Sequence, residues 1–567
     1  MSNRLRMLLC GLSVAALGVP HVAWAEPSSQ KQTRLVVLIV VDQLRADYLT
    51  RFSEHFGDGG FRRLARGGAH FVNAYYSYGS SATAPGHATI STGRIPRRHG
   101  IVANKWYLDP TTDRAEYAVN DDHCNILPPP PDGKGQGRSP HNLIGPSLGD
   151  QIKASDARSR VFSVALKDRA AIFLGGHNAD GALWWDLRTG NFDSSTYYGA
   201  ELPSYVTAFN RQKVAGRFVG RVWRRSLEEE TYDGCHPTDP AWPGSSGNLG
   251  PTFPHALPAV DGEPGLAFYS ALWCTPFGNE LVIDMAERIV KQEQLGRGPA
   301  VDMLCIGLSS NDLCGHYFGP ESAEVMDMMV RTDRQVAGLL SVLDERVGLD
   351  HCLIALTGDH GVTTMPPLAQ AMRLGGGRLD LEGIRKKLDG QLRKMLGTAA
   401  EGMGARRIVS SVQLPWVYLN RSVLDGLDEA GRRRIIHEAA DFLRGIDGIA
   451  EVYTAGELSG PSPSPDQVHR YLAWRCYHPE RSGQLYLQLR PYWYKVDHKV
   501  AGHTSGSNHD RHVPILLYGP RIRPGRYFSP AKPSDIAVTL AAVLGIEPPL
   551  GATGSVLHEA LDSRPGS

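Results

Sequence analysis

The sequence predicts an α/β fold: a mostly parallel central sheet with helices on both faces and inserted subdomains. Three observations carry that expectation. Continuous apolar runs recur at 35–42 (LVVLIVVD), 302–308 (DMLCIGL), 352–356 (CLIAL) and 513–518 (VPILLY). Runs of that kind read as strands buried on both faces, as in parallel sheets, rather than as alternating half-exposed strands. Helical patterns lie between them, at 321–347 with Met, Leu and Val at helical spacing, and at 536–544. Strands alternating with helices give α/β architecture. Finally, 567 residues is long for one simple domain, so a large core with insertions is expected.

Taken from the N-terminus, the first element is a leader. Arg4 and Arg6 precede an apolar run at 8–19, which is shorter than the roughly 20 residues a membrane span needs. Pro20 ends the run and Ala23-Trp24-Ala25 offers a small-x-small cleavage site, so 1–25 reads as a signal peptide. The mature chain is expected in the periplasm or secreted, with no membrane span after signal removal. A polar linker leads to a core at 33–365, interrupted by an insertion at about 184–273 rich in Trp, Tyr, Gly and Pro. A second insertion is expected at 366–500, and the rest of the core at 501–560.

Composition adds exclusions. The chain is 42% hydrophobic and 21% charged, ordinary for a globular core, and its net charge of +1 gives no field for a dedicated nucleic-acid partner or an anionic membrane. Seven cysteines remain beyond Cys10, an odd number, so at least one thiol has no partner within the chain. Cys305 and Cys352 sit in strand runs and read as small buried residues.

The chemistry starts from placement. Asp42, Asp312 and Asp359 all fall at or just past strand ends, where α/β folds collect ligands. Asp312 and His316 are spaced i, i+4, on one face of a helix. Asp359 and His360 adjoin after a strand, and His503 lies in AGHTSGSNHDRHVP. Carboxylate and imidazole together suit zinc. Taken singly, each pair is more often a chance spacing or a turn carboxylate beside a hydrogen-bonded histidine, and it is their shared placement at strand ends that points to one site. Thr83 precedes Pro85 and a short helical stretch at 88–91. A helix start is an anion site, and a metal on the threonine oxygen lowers its pKa enough to make a nucleophile. The other reading of Thr83 is a simple N-cap.

The motifs DQLRADY from Asp42, TAPGH from Thr83, VANKW from Val102, LKDR from Leu166, NDLCGH from Asn311, TGDHG from Thr357 and GHTSGS from Gly502, in that order, resemble the alkaline phosphatase superfamily. Within it they resemble the PafA-type phosphatases with a threonine nucleophile. The resemblance implies an alkaline-phosphatase-like fold and two zinc ions per chain. One zinc would be held by Asp312, His316 and His503. The other would be held by Asp42, Asp359 and His360, with Thr83 on its open side as the nucleophile.

The resemblance also implies that Asn104 binds phosphate and that Lys167 and Arg169 mark monoesterases. Read without it, Asn104 is a turn asparagine. Lys167 and Arg169 continue a strand-like run at 160–166 and would share one face, with Asp168 on the other. The expected function is a secreted zinc-dependent alkaline phosphatase acting on small-molecule phosphate monoesters through a phosphothreonine. The alternatives are a phosphodiesterase or nucleotide pyrophosphatase of the same superfamily and, further off, a non-catalytic metal-binding relative. His87, His99, His509, His512 and Cys314 stand near the motifs without a matching role.

Overall fold

The computed structural model describes residues 32–107, 115–129, 136–236, 249–259, 263–397, 407–497 and 499–562. The leader expected at 1–25 lies outside the described residues.

Ten strands form the central sheet: β1 (Leu35–Val41), β2 (Ala69–Tyr75), β3 (Ile126–Leu127), β4 (Val161–Ala165), β5 (Gly181–Asp186), β6 (Asn191–Ser195), β7 (Asp302–Leu308), β8 (Cys352–Thr357), β9 (His512–Tyr518) and β10 (Gly525–Tyr527). Their order is β10-β2-β9-β8-β1-β7-β4-β5-β6-β3. The central run from β8 to β5 is parallel. β9 is antiparallel to both β8 and β2. β1 is the axis, with Leu35 opposite Asp302 on one side and Cys352 on the other.

The apolar runs are strands because both faces are covered. Along β1, Leu35, Val37, Ile39 and Val41 enter one core with residues of α3 (Pro276–Gln292) and α5 (Ala323–Arg346). Val36, Leu38 and Val40 enter the opposite core with Ile536 and Leu540 of α6 (Ser534–Leu544). The period of two thus splits one hydrophobic run between two cores. At about 25 cal/mol per Å² of buried apolar surface, these two cores supply the dominant favourable term.

A second, all-antiparallel sheet is separate. Its strands run Val409–Gln413, Trp416–Leu419, Leu485–Leu489, Ile449–Thr454 in spatial order. Helices Leu381–Leu396 and Glu429–Arg444 cover it in a core of their own. This region falls inside 366–500. The insertion expected to begin at 184 differs at its start, because 184 lies within β5, which pairs with β4, and β6 pairs with β5. Trp184 and Trp185 are buried sheet residues: Trp185 enters the core shared with α3 and α5, and Trp184 a further core with Ala84 and Ala88.

All seven described cysteines are free thiols. Cys314 faces the apolar core away from its neighbours Asp312 and His316, and burial pushes its thiol well above the usual range.

Candidate active site

The predicted residues come together at the carboxyl ends of the parallel strands. Asp42 follows β1 directly, Asp359 and His360 follow β8, and Asp312 and His316 sit on α4 (Ser310–Phe318), which follows β7. Thr83 opens α1 (Thr83–Thr92), and His503 lies in the segment before β9.

Two expectations about local structure change. The helix after Thr83 is longer than 88–91 and begins at Thr83 itself, with extended Ala82 as its N-cap. The Thr83 hydroxyl therefore caps nothing. Pro85 stands in the first turn, where a missing N–H costs no bond. The strand before Lys167 stops at Ala165, and Lys167 is the residue that enters helix α2 (Asp168–Gly175). Lys167 and Arg169 are thus brought to the site by a strand-to-helix turn, not by strand alternation. Asp168 in the first turn suits the positive end of that helix. It accepts from the Tyr117 hydroxyl at 2.6 Å and from Arg138 at 3.1 Å.

Lys167 is the hub. Its ammonium, 3% exposed, donates to Asp42, to Asp312 at 2.7 Å and to Thr83 Oγ1 at 3.2 Å. Burial works against the Lys167 charge, but Asp312 and Asp42 outweigh it and hold the ammonium above its ordinary range. Burial and the nearby Asp359 charge push the Asp42 carboxyl well up. Burial opposes the Asp312 charge too, but His316 and Lys167 hold that carboxyl well below the usual range.

The histidines are aimed. His316 Nδ1 lies 2.8 Å from the Ala501 carbonyl, His360 Nδ1 2.9 Å from Gly361 and His503 Nδ1 2.6 Å from Ser81. An Nδ1–H donated to a carbonyl leaves the Nε2 lone pair free, as a metal ligand requires. Burial lowers the pKa of both His316 and His503, so both rings favour the neutral form. His360 and His503 stack at 3.7 Å between ring centroids.

Ligand-type atoms gather in two sets, each within 4.8 Å: Asp42, Asp359 and His360, and Asp312, His360 and His503. The first is the predicted trio. In the second His360 stands where His316 was expected, while His316 Nε2 lies 3.2 Å from Asp312 Oδ1. Cations fit these residues on a physical ground. Asp42 Oδ1, Asp359 Oδ2 and His360 Nε2 are buried without a hydrogen-bond partner, and a buried polar group left so is costly. Among the described residues, three buried carboxylates, those of Asp42, Asp312 and Asp359, also lie around the buried Lys167 ammonium. Nitrogen and oxygen donors in this mixture suit zinc.

Asn104 has a defined orientation. Its Oδ1 accepts from the Ala84 N–H at 2.9 Å, which leaves the amide nitrogen for the cavity. Arg169 donates to the Tyr117 hydroxyl at 3.0 Å and lines the same cavity as Thr83 and Asn104. His87 lies behind the turn that carries Thr83, 2.8 Å from the Thr83 carbonyl and 3.3 Å from Asp359. His99 braces Thr89 at 3.1 Å, His509 stacks on Tyr492, and His512 stacks on Tyr75.

Sequence reasoning missed Gln43 and Asn311. Gln43 N–H donates to Asp359 at 3.0 Å and its side chain to Asp312 at 2.8 Å, tying the two sets together. It does so at φ +64°, a strained conformation for a non-glycine residue. Asn311 donates to the carbonyls of Asp42 and Gln43. The only signal was adjacency to proposed ligands.

Comparison with known proteins agrees with this geometry. Residues 36–509 match the family described as type I phosphodiesterase / nucleotide pyrophosphatase. A calcium-transporting ATPase of Myroides odoratus is 34% identical over 94% of this chain and 95% of its own length. Alkaline phosphatase PafA of Elizabethkingia meningoseptica is 33% identical over 93% of this chain and 94% of its own. The crystal structure of wild-type PafA is 31% identical with a TM-score of 0.85, over 94% of this chain and 99% of that one. A PafA variant substituted at one threonine, one asparagine, one lysine and one arginine superposes with the same TM-score. Among the described residues no helix is long and apolar enough to cross a membrane. The chain therefore belongs to the type I phosphodiesterase / nucleotide pyrophosphatase family of the alkaline phosphatase superfamily, as a PafA-type phosphatase and phosphoric monoester hydrolase.

Proposed function

We propose that this chain is an exported, zinc-dependent alkaline phosphatase that hydrolyses phosphate monoesters through a covalent phosphothreonine on Thr83. The observation that carries the proposal is the Thr83 hydroxyl. It caps no helix, and its one hydrogen-bond partner among the described residues is the buried Lys167 ammonium at 3.2 Å. Asp42, Asp359 and His360 would hold one zinc, and Asp312, His316 and His503 the other. When bound, the pair supplies Lewis acidity that lowers the hydroxyl pKa and offsets charge on the leaving oxygen.

The chain's own groups do the rest. Thr83 Oγ1, its proton released to solvent water, forms the new P–O bond as the ester P–O bond breaks, and the leaving oxygen takes a proton from water and departs as the alcohol. Lys167, held cationic by its carboxylates, donates to Thr83 Oγ1 and does not take its proton. The Asn104 amide and the Arg169 guanidinium donate to non-bridging oxygens, which in a monoester carry two charges. Water then cleaves the phosphothreonine and regenerates Thr83. The four residue types substituted in the PafA variant are those of Thr83, Asn104, Lys167 and Arg169, which supports these roles. Export rests on the leader read at 1–25.

Acid quench of the wild type during turnover, followed by peptide mass spectrometry, tests this. One phosphoryl group on the peptide holding Thr83, and none in Thr83→Ala, is the expected result. A folded Thr83→Ala chain with near-wild-type turnover overturns it.

A further inference from the structure

The cavity in front of Thr83 has a volume of about 410 Å³, within the range of about 300–1,000 Å³ that takes a small organic ligand. It is larger than a phosphoryl group alone needs. One wall is the site described above. The other comes from 366–500, and it carries Ser411, Gln413, Tyr494, Lys495 and Lys499. Lys105, next to Asn104 in sequence, stands on the rim.

The charges on this second wall are one-sided. Among the described residues lining the cavity, Asp312 is the single acidic one, and it belongs to the site already assigned. Lys495 is paired with Asp497 at 3.0 Å. Lys499 differs: it is half-buried, and its ammonium is within electrostatic reach of the carboxylates of Asp312 and Asp497 and of the cations Lys167 and Lys495. Its backbone N–H bonds to Asp497 and its carbonyl accepts from Arg378, which fixes the backbone it hangs from. No hydrogen bond to its ammonium exists among the described residues. Holding a cation there, already beside the Lys167 charge, costs free energy unless an anion arrives. Neither carboxylate is free for that role: Asp312 is engaged by His316, Lys167 and Gln43, and Asp497 by Lys495 and the Lys499 backbone N–H.

We propose that Lys499, supported by Lys495 and Lys105, forms an anionic leaving-group subsite. It selects phosphate monoesters whose leaving group carries a second phosphate. The inference deepens the monoesterase reading and rests on it. In such a substrate the transferred phosphoryl meets Thr83, Asn104 and Arg169, while the second phosphate reaches the ammonium on the opposite wall. The specificity device thus lies in the inserted region, which contributes nothing to the nucleophile or to the ligand sets other than by enclosing them.

The test compares kcat/KM for butyl phosphate and for butane-1,4-diol bisphosphate, a pair that differs only in the second phosphate. The wild type is expected to prefer the bisphosphate by about tenfold, the size of one charge-assisted hydrogen bond, with the preference shrinking as salt rises. Lys499→Gln is expected to erase that preference, and Lys499→Arg to retain most of it. A loss of the same factor on both substrates in Lys499→Gln, leaving the ratio intact, overturns the subsite and assigns Lys499 a structural role. An unchanged ratio with unchanged rates overturns it as well. A wild type that hydrolyses neither substrate overturns the monoesterase reading and the subsite with it. Hydrolysis of both at equal rates overturns the subsite alone.

Discussion

Gly86→Ala places one methyl group between the turn that carries Thr83 and the segment that carries Asp359. Gly86 lies in the first turn of α1, against the segment after β8. A Cβ there would sit 2.8 Å from Asp359 Cβ, 2.9 Å from its carbonyl carbon and closer still to its carbonyl oxygen, against 3.4 Å for an ordinary contact. The helix must therefore retreat by at least about 0.6 Å, and by roughly 1 Å to clear the oxygen. Thr83 is three residues away on the same turn and moves with it, while Asp359, bonded to Gln43 at 3.0 Å, stays. A misplacement of roughly 1 Å at reacting groups costs on the order of 100-fold in rate. The overpacking itself costs about 1–3 kcal/mol of stability. kcat/KM on a phosphate monoester is thus expected to fall about 100-fold. Urea unfolding should still show a cooperative transition, destabilised by that amount, and metal content should stay at the wild-type level. A folded Gly86→Ala chain within about threefold of wild-type activity would refute the claim that the Thr83–Asp359 spacing is set by this contact.

Three further outcomes are expected. Arg169→Ala should lower kcat/KM for a monoester by about 10²–10³, as loss of one oxyanion donor does, with a smaller loss for a matched diester; equal losses on both would remove its role as a reader of the dianion. Chelation should abolish turnover and lower the unfolding temperature, and zinc should restore both, since a ligand at 100 times its Kd stabilises by about 2.7 kcal/mol; fewer than two bound metals per active chain would contradict the paired site. Asp193 is 4% exposed, with one carboxylate oxygen unpartnered, and burial and nearby Asp186 push its pKa up to about 8. The folded chain therefore holds a proton there that the unfolded chain has released, so this contribution to stability is lost as pH rises from about 4 to about 8. Asp193→Asn should flatten the decline in that window; an unchanged slope in urea unfolding would show that Asp193 is ionised in the fold.

Much of the site was legible in residue order alone. Asp42, Asp312 and Asp359 were legible because continuous apolar runs announce parallel strands, and parallel strands deliver their carboxyl ends to one edge of the sheet. His316 was legible because i, i+4 spacing on a helix fixes proximity. Those are local rules with global consequences.

Other features depended on contacts that no local pattern encodes. Where β4 stops is set by its pairing with β7 and β5, so the turn that delivers Lys167 and Arg169 could not be read from alternation. The membership of β5 and β6 in the central sheet is likewise a matter of pairing, and it moved the edge of the first insertion. Gln43 and Asn311 act through bonds to residues some 270–320 positions away.

The sequence by itself determined the α/β class and the strand ends that carry the acids, and it named the candidate groups for phosphoryl chemistry. Hydrophobic period and motif order are properties of the chain. Only the tertiary structure decided which carboxylates share an ammonium, which oxygens are left without partners, and which lysines from 366–500 line the same cavity as Thr83. Distance and burial set electrostatic strength, and both exist only once the chain has closed on itself.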